Sequence, residues 1–139
     1  MIDESTIVTY LQTETTYTIE LAGDILANWQ DTADLPIVYV SYATIDSKQP
    51  NVPLESSIFN TNGEDLVQTF EINIVSVPGD FRAVWIAIYN ALIGWNPIPD
   101  EVYHSGFTYA QGGKMGRSNN KLWHVDLWRI GFPTNHVLI

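Results

Sequence analysis

The chain has 139 residues, no cysteine and a net charge of −10. That length holds one domain, and a domain of this size buries roughly two-thirds of the surface its unfolded chain exposes. The missing cysteines exclude disulfides, a thiolate nucleophile and thiolate-held metals, while the charge argues against a protein that wraps nucleic acid, which needs clustered Lys and Arg.

Apolar residues make up 45%, the level of a globular chain. No apolar run approaches the ~18 residues of a membrane span. The start, Met1-Ile2-Asp3-Glu4, is acidic where a signal peptide is basic, so no secretion signal is expected. Charge is unevenly spread. Residues 1–113 carry 15 acids and two bases (Lys48, Arg82), a net of −13. Residues 114–139 carry Asp126 against Lys114, Arg117, Lys121 and Arg129, a net of +3. A subunit with one acidic and one basic region can stack head to tail on copies of itself or on partners. A solvated acidic surface beside a basic loop is the plainer alternative.

Residues 3–12 suit a short helix. Asp3 and Glu4 fall where the helix dipole favours negative charge, and Ile7 and Leu11 share a face at i, i+4. The run at 13–16 (TETT) favours extended chain. Residues 17–21 (YTIEL) alternate as a short strand that Gly23-Asp24 ends. Ile25, Leu26 and Trp29 form a helical turn or a loop packed on the core. Leu35–Ile45 is a strand apolar on both faces. Residues 47–64 make a long loop holding Pro50, Pro53 and Gly63, of the kind that is usually functional or mobile. Residues 66–77 form another strand, with Phe70, Ile72 and Ile74 on one face and Thr69, Glu71 and Asn73 on the other.

Asp80 is placed to cap the next helix. Phe81, Val84, Trp85, Ile88 and Leu92 recur at helical spacing, and Ala83, Ile86, Ala87, Ala91 and Ile93 make the other side apolar too. Such a helix needs cover on more than one side, and a second subunit is a candidate. Gly94 stops it, and Pro97 and Pro99 prevent its resumption. Residues 106–115 and 121–132 read as paired strands, with GRSNN at 116–120 as the turn. On the last strand Trp123, Val125 and Leu127 share one face, and His124, Asp126, Trp128 and Ile130 the other. The tail at 133–139 (PTNHVLI) ends apolar, so it is expected to dock. The expected fold is α+β in the order α-β-β-β-α-β-β: one domain over 1–139 with a mostly antiparallel mixed sheet, a central core helix and a short N-terminal helix.

Little in the sequence points to catalysis. His124 and Asp126 form H-x-D on one strand face, either an oriented general base or a polar pair on the solvated side of a hairpin. The latter is the plainer expectation. No third ligand stands at metal spacing. No G-x-S-x-G elbow is present. Gly112-Gly113-Lys114 lacks the remaining residues of a phosphate loop. No catalytic residue, metal or cofactor is therefore expected. Five Trp and seven Tyr are dense for this length. Trp85 suits the core. Trp95, Trp123 and Trp128 suit a sugar or base platform, or else core and subunit interface, where such residues are also enriched. The absence of accompanying polar groups favours the interface.

The C-terminal half resembles the tail terminator (tail completion) proteins of long-tailed bacteriophages. The residues that carry the resemblance are Ala91-Leu92-Ile93-Gly94-Trp95-Asn96-Pro97, then Gly106-Phe107-Thr108-Tyr109, Gly112-Gly113, and Leu122-Trp123-His124-Val125-Asp126-Leu127-Trp128-Arg129-Ile130. The likeness spans about residues 65–132, and the N-terminal third matches no family residue. It implies a virion protein at the tail–neck junction, made in the host cytoplasm. Six copies would form a ring that caps the head-proximal end of the tail tube and stops its growth. The implied partners are other copies, the tail tube protein, with or without a sheath protein, and a neck or head-completion protein. DNA would pass through the channel without sequence-specific binding, and no membrane is involved. The candidate interface residues are Lys114, Arg117, Lys121, Trp95, Trp128, Ile86 and Ile93. Another neck ring (a head–tail adaptor or stopper) and a carbohydrate-binding module using exposed Trp are the alternatives.

Overall fold

The computed structural model describes residues 2–47, 66–97, 106–118 and 120–132. Most of the expected 47–64 loop and the 133–139 tail lie outside the described residues. The elements run α1 (Glu4–Glu14), β1 (Thr18–Leu21), a 3-10 segment (Ile25–Asp31), β2 (Ile37–Ser47), β3 (Leu66–Ser76), α2 (Pro78–Leu92), β4 (Thr108–Ser118) and β5 (Lys121–Phe132). The fold is α+β, as the sequence predicts. One five-stranded sheet has the order β1-β2-β3-β5-β4. Among the described residues β1 and β2 are parallel, and the pairings β2–β3, β3–β5 and β4–β5 are antiparallel.

Both helices pack on one face of this sheet. Ile7 and Leu11 of α1, and Val84, Ile88 and Leu92 of α2, bury against Val38, Val40, Phe70, Ile72, Ile74, Trp128 and Ile130. The reverse face holds a smaller cluster, in which Trp29 of the 3-10 segment packs with Ala22, Ile37, Tyr39 and Val75. Asn73, fully buried on that face, donates from Nδ2 to the Tyr39 carbonyl (3.2 Å) and accepts from Trp123 Nε1 (3.0 Å). Its amide is thereby satisfied, which burial demands.

Several boundaries depart from the expected ones, each for a local reason. α1 continues to Glu14 because Thr13 and Thr15 donate their hydroxyls to the Thr9 and Leu11 carbonyls, at 3.0 and 2.8 Å. Asp3 is the N-cap, its Oδ1 accepting from the Ser5 N–H (3.0 Å). β2 begins at Ile37 rather than Leu35, since Pro36 has no N–H to give a ladder. Asp80 does not cap α2: Val77 is the N-cap, and Pro78 opens the helix. Proline is favoured there because the first N–H has no helical partner to lose. Asp80 lies in the first turn, where its charge still suits the dipole. The expected GRSNN turn is shorter, because the ladder runs through Arg117↔Leu122 to Ser118↔Lys121 after an irregularity between Lys114 and Gly116.

After α2 the chain turns through Gly94, whose φ of 75° suits glycine. The Gly94 N–H donates to the Phe107 carbonyl (2.9 Å), and the Phe107 N–H to the Trp95 carbonyl (2.8 Å). Trp95 stacks on Tyr10 of α1, with centroids 3.7 Å apart and planes within 5°, and on Phe107 at 5.6 Å. The Tyr10 hydroxyl donates to the Ala91 carbonyl at 2.6 Å. The G-W-x-P stretch thus clamps α1, the end of α2 and the start of β4 together.

Candidate functional site

His124 and Asp126 share a face of β5, but that face lies under α2. Asp126 is 1% exposed, and the Phe81 ring of α2 lies 4.7 Å from the His124 ring. The expected solvated pair is therefore a core pair. The inversion follows from register: residues 124, 126, 128 and 130 pair with the core positions Ile74, Ile72, Phe70 and Gln68. Asp126 Oδ1 lies 2.7 Å from His124 Nε2 and accepts from the Tyr109 hydroxyl at 3.1 Å. Burial foremost, then the Asp126 charge and hydrogen bond, push the Tyr109 phenol up to about 12. Tyr109 is therefore a permanent donor at ordinary pH. Gly112 lies over the group. A Cβ there would stand 2.1 Å from Asp126 Oδ1 and 2.4 Å from the Tyr109 hydroxyl. In the sequence Tyr109 and Gly112 stand out only within the family-like stretches and the rejected phosphate loop; the Gly112↔Asp126 register, visible only once β4 and β5 are aligned, is the signal that places them beside Asp126. The trio's hydrogen bonds run to one another, which makes it a closed polar core rather than a group aimed at a ligand. Among the described residues no cluster of three His, Asp or Glu is placed to hold a metal ion.

The candidate interface residues separate into three groups. Trp128 is 1% exposed and lies between the Tyr89 and Tyr109 rings, at 5.5 and 5.4 Å. It is a core residue and cannot meet a partner. Trp95 is half-buried and held between two rings of its own chain. Of the five indoles Trp29 and Trp128 are buried, and Trp85, Trp95 and Trp123 are partly covered. Lys121 is also engaged. Its Nζ donates to the Thr32 carbonyl (2.7 Å) and the Gln30 carbonyl, closing the end of the 3-10 segment. The burial of these groups could not be read from their residue types, because Trp and Lys are frequent at interfaces and in such internal roles alike.

Of the others, Arg117, Ile86 and Ile93 face outward, and the side chain of Lys114 lies outside the described residues. The two isoleucines are each 42% exposed; Ile86 lies on the outer side of α2 with Arg82 and Asn90, and Ile93 is its C-cap. The core covers the inner side of the helix, at Val84, Ile88 and Leu92.

The ends of the sheet differ in charge. Beside β1 an open groove of about 360 Å³ is lined by Glu20, Asp31 and Asp34 together with Asn28, Ile37 and Tyr39. At the other end β4 and β5 carry Lys114, Arg117 and Arg129, and their one acid, Asp126, is buried. Arg117 and Arg129 make no ion pair among the described residues. On the reverse face Leu26, Met115, Trp123, Val125 and Leu127 line a shallow trough of about 510 Å³ with Glu71, Gln111, Gly112 and Gly113. No described helix is long and apolar enough to cross a membrane. No family model matches the chain. No curated protein matches it either.

Proposed function

We propose that this chain is a structural virion subunit, copies of which join into a ring, six by the family resemblance, that caps the head-proximal end of a phage tail tube. The ring ends tube growth and joins the tail to the neck. The observation that carries the reading is the charge polarity of the sheet: acidic at the β1 end, basic at the β4 end, a distribution that favours head-to-tail association and disfavours face-to-face pairing. The exposed Ile86 on α2 and Ile93 at its C-cap add apolar surface that an isolated subunit leaves wet. A net charge of −10 keeps a DNA duplex from adhering to the channel wall. The resemblance in the G-W-x-P stretch and the Trp-bearing hairpin supplies the partner, the tail tube.

The test is docking on polymerising tail tube protein from the same genome, imaged by negative stain. Rings at one end of each tube, with tube growth halted, are expected. Rings that bind only a portal-side assembly would reassign the protein to another neck position. Tubes that lengthen unaltered, with no density at either end, would refute the capping role.

A further inference from the structure

We infer that the ring closes by sheet continuation: the outer edge of β4 in one copy pairs antiparallel with the outer edge of β1 in the next. This rests on the ring reading above but names strands that reading leaves open.

Three observations converge. The first is direction. Taking β2 as pointing up, β1 is parallel to it, β3 points down, β5 up and β4 down. The strands at the two edges are therefore opposed. A rotation that repeats the subunit while keeping its helices on the same side brings β4 against β1 antiparallel, with the sheet sense unbroken. The second is length. Irregularities between Tyr109 and Gln111 and between Lys114 and Gly116 divide β4 into three regular runs, of which Gln111–Lys114, with four paired positions, is the longest. β1, Thr18–Leu21, also has four residues. Two of the β4 positions are Gly112 and Gly113, which let another backbone approach closely. The third is charge. Glu20 is exposed on β1 with Asp31 and Asp34 beside it, whereas the β4 end carries Lys114, Arg117 and Arg129. Among the described residues no strand pairs with either outer edge. Unpaired edges of this kind template association with another strand. The Gln111–Lys114 run is long enough to do so, and the irregularities flanking it limit its growth to one short partner. Like charges would meet if two β4 edges or two β1 edges paired, so the arrangement also selects against closed dimers.

Cysteine trapping tests this directly, because the chain has none of its own. Glu20 lies on the reverse face of the sheet, as do Gln111 and Gly113. A side chain at Gly113 meets nothing within 4 Å, so Gly113→Cys is sterically free. The double variants Glu20→Cys/Gly113→Cys and Glu20→Cys/Gln111→Cys cover two adjacent same-face registers. Within one chain the two edges lie about 19 Å apart, four strand spacings, too far for a disulfide. Oxidation of the full-length chain over a concentration series should give a ladder of linked copies, ending at the ring, in at least one double variant. Mixing the matching single variants should stop at linked dimers. Arg117→Glu should weaken association about fivefold at low salt. Rings that form without a link in either register would overturn the edge pairing and leave the ring reading intact. Absence of both rings and links up to the highest soluble concentration would also overturn it. Linked rings that never dock on tubes would keep the pairing and refute the capping role.

Discussion

The carboxamide of Gln68 holds both backbone polar groups of Ile2. Gln68 Oε1 accepts from the Ile2 N–H at 3.1 Å, and its Nε2 donates to the Ile2 carbonyl at 2.7 Å. Gln68 is 3% exposed on the helix-bearing face of β3. A side chain here plays the part of a neighbouring strand and fixes where α1 begins. Gln68→Leu leaves those two groups without partners and should cost about 1–3 kcal/mol. Thermal unfolding should shift down by several degrees, and amide exchange in α1 should rise more than exchange in α2. An equal rise in both helices would show that Gln68 does not anchor α1 selectively.

Adjacent glycines in β4 should behave in opposite ways. Gly112→Ala drives a methyl into the Asp126 carboxylate and the Tyr109 hydroxyl. Disturbing that buried group should destabilise the fold by about 2–3 kcal/mol. Gly113→Ala meets open space and should fall within about 0.5 kcal/mol of the parent, as surface changes generally do. Denaturant midpoints for the two variants separate these outcomes. Equal midpoints would mean that β4 shifts to accommodate the methyl.

How much of this was legible in the residues depends on the kind of interaction. The core positions of α1, β3 and α2 follow from periodicity, because one-sided burial imposes a repeat. Ile7, Phe70, Ile72, Ile88 and Leu92 all sit where that repeat puts them. The face of β5 could not be assigned in the same way. Trp123, Val125 and Leu127 are as apolar as a core face, whereas His124 and Asp126 look solvated. Pairing with β3 decides the matter, and pairing is a long-range fact. The engagement of Lys121 is similarly invisible, since its acceptors lie 89 and 91 positions away. The charge separation was plain in the sequence, but sheet order was needed to place it at opposite edges.

Alkaline pH should expose the Tyr109 contact. Its phenol is pushed up to about 12 in the fold, mainly by burial and then by Asp126, against 10 for an ordinary tyrosine. Above about 10 the unfolded chain gives up a proton that the folded chain keeps. Fewer protons on the unfolded state mean that stability falls as pH rises. The contribution is whole below pH 10 and is lost between 10 and about 12. Tyr10 and Tyr39 are shifted in the same direction, each chiefly by burial. Tyr109→Phe should therefore be less stable at pH 7 and should lose less on going to pH 11. Parallel stability curves for the two proteins would show that Tyr109 ionises alike in both states.

Lys121 and Arg117 lie near each other in sequence but should divide cleanly by experiment. Lys121 spends its ammonium on the Gln30 and Thr32 carbonyls, at the end of the 3-10 segment that carries buried Trp29. Lys121→Met keeps the aliphatic stem and removes the donor, so the segment should loosen at a cost of about 1–2 kcal/mol. The Trp29 region should then exchange faster, with no change in the strength of self-association. Arg117 is exposed and makes no ion pair among the described residues, so Arg117→Glu should leave the unfolding midpoint within experimental scatter. Its effect should appear in sedimentation as weaker association that converges on the parent as salt rises, because screening removes an exposed charge pair first. A Lys121→Met chain that unfolds as the parent does but no longer associates would reverse the two roles. It would place the lysine at the subunit contact and leave the end of the 3-10 segment to be closed by water.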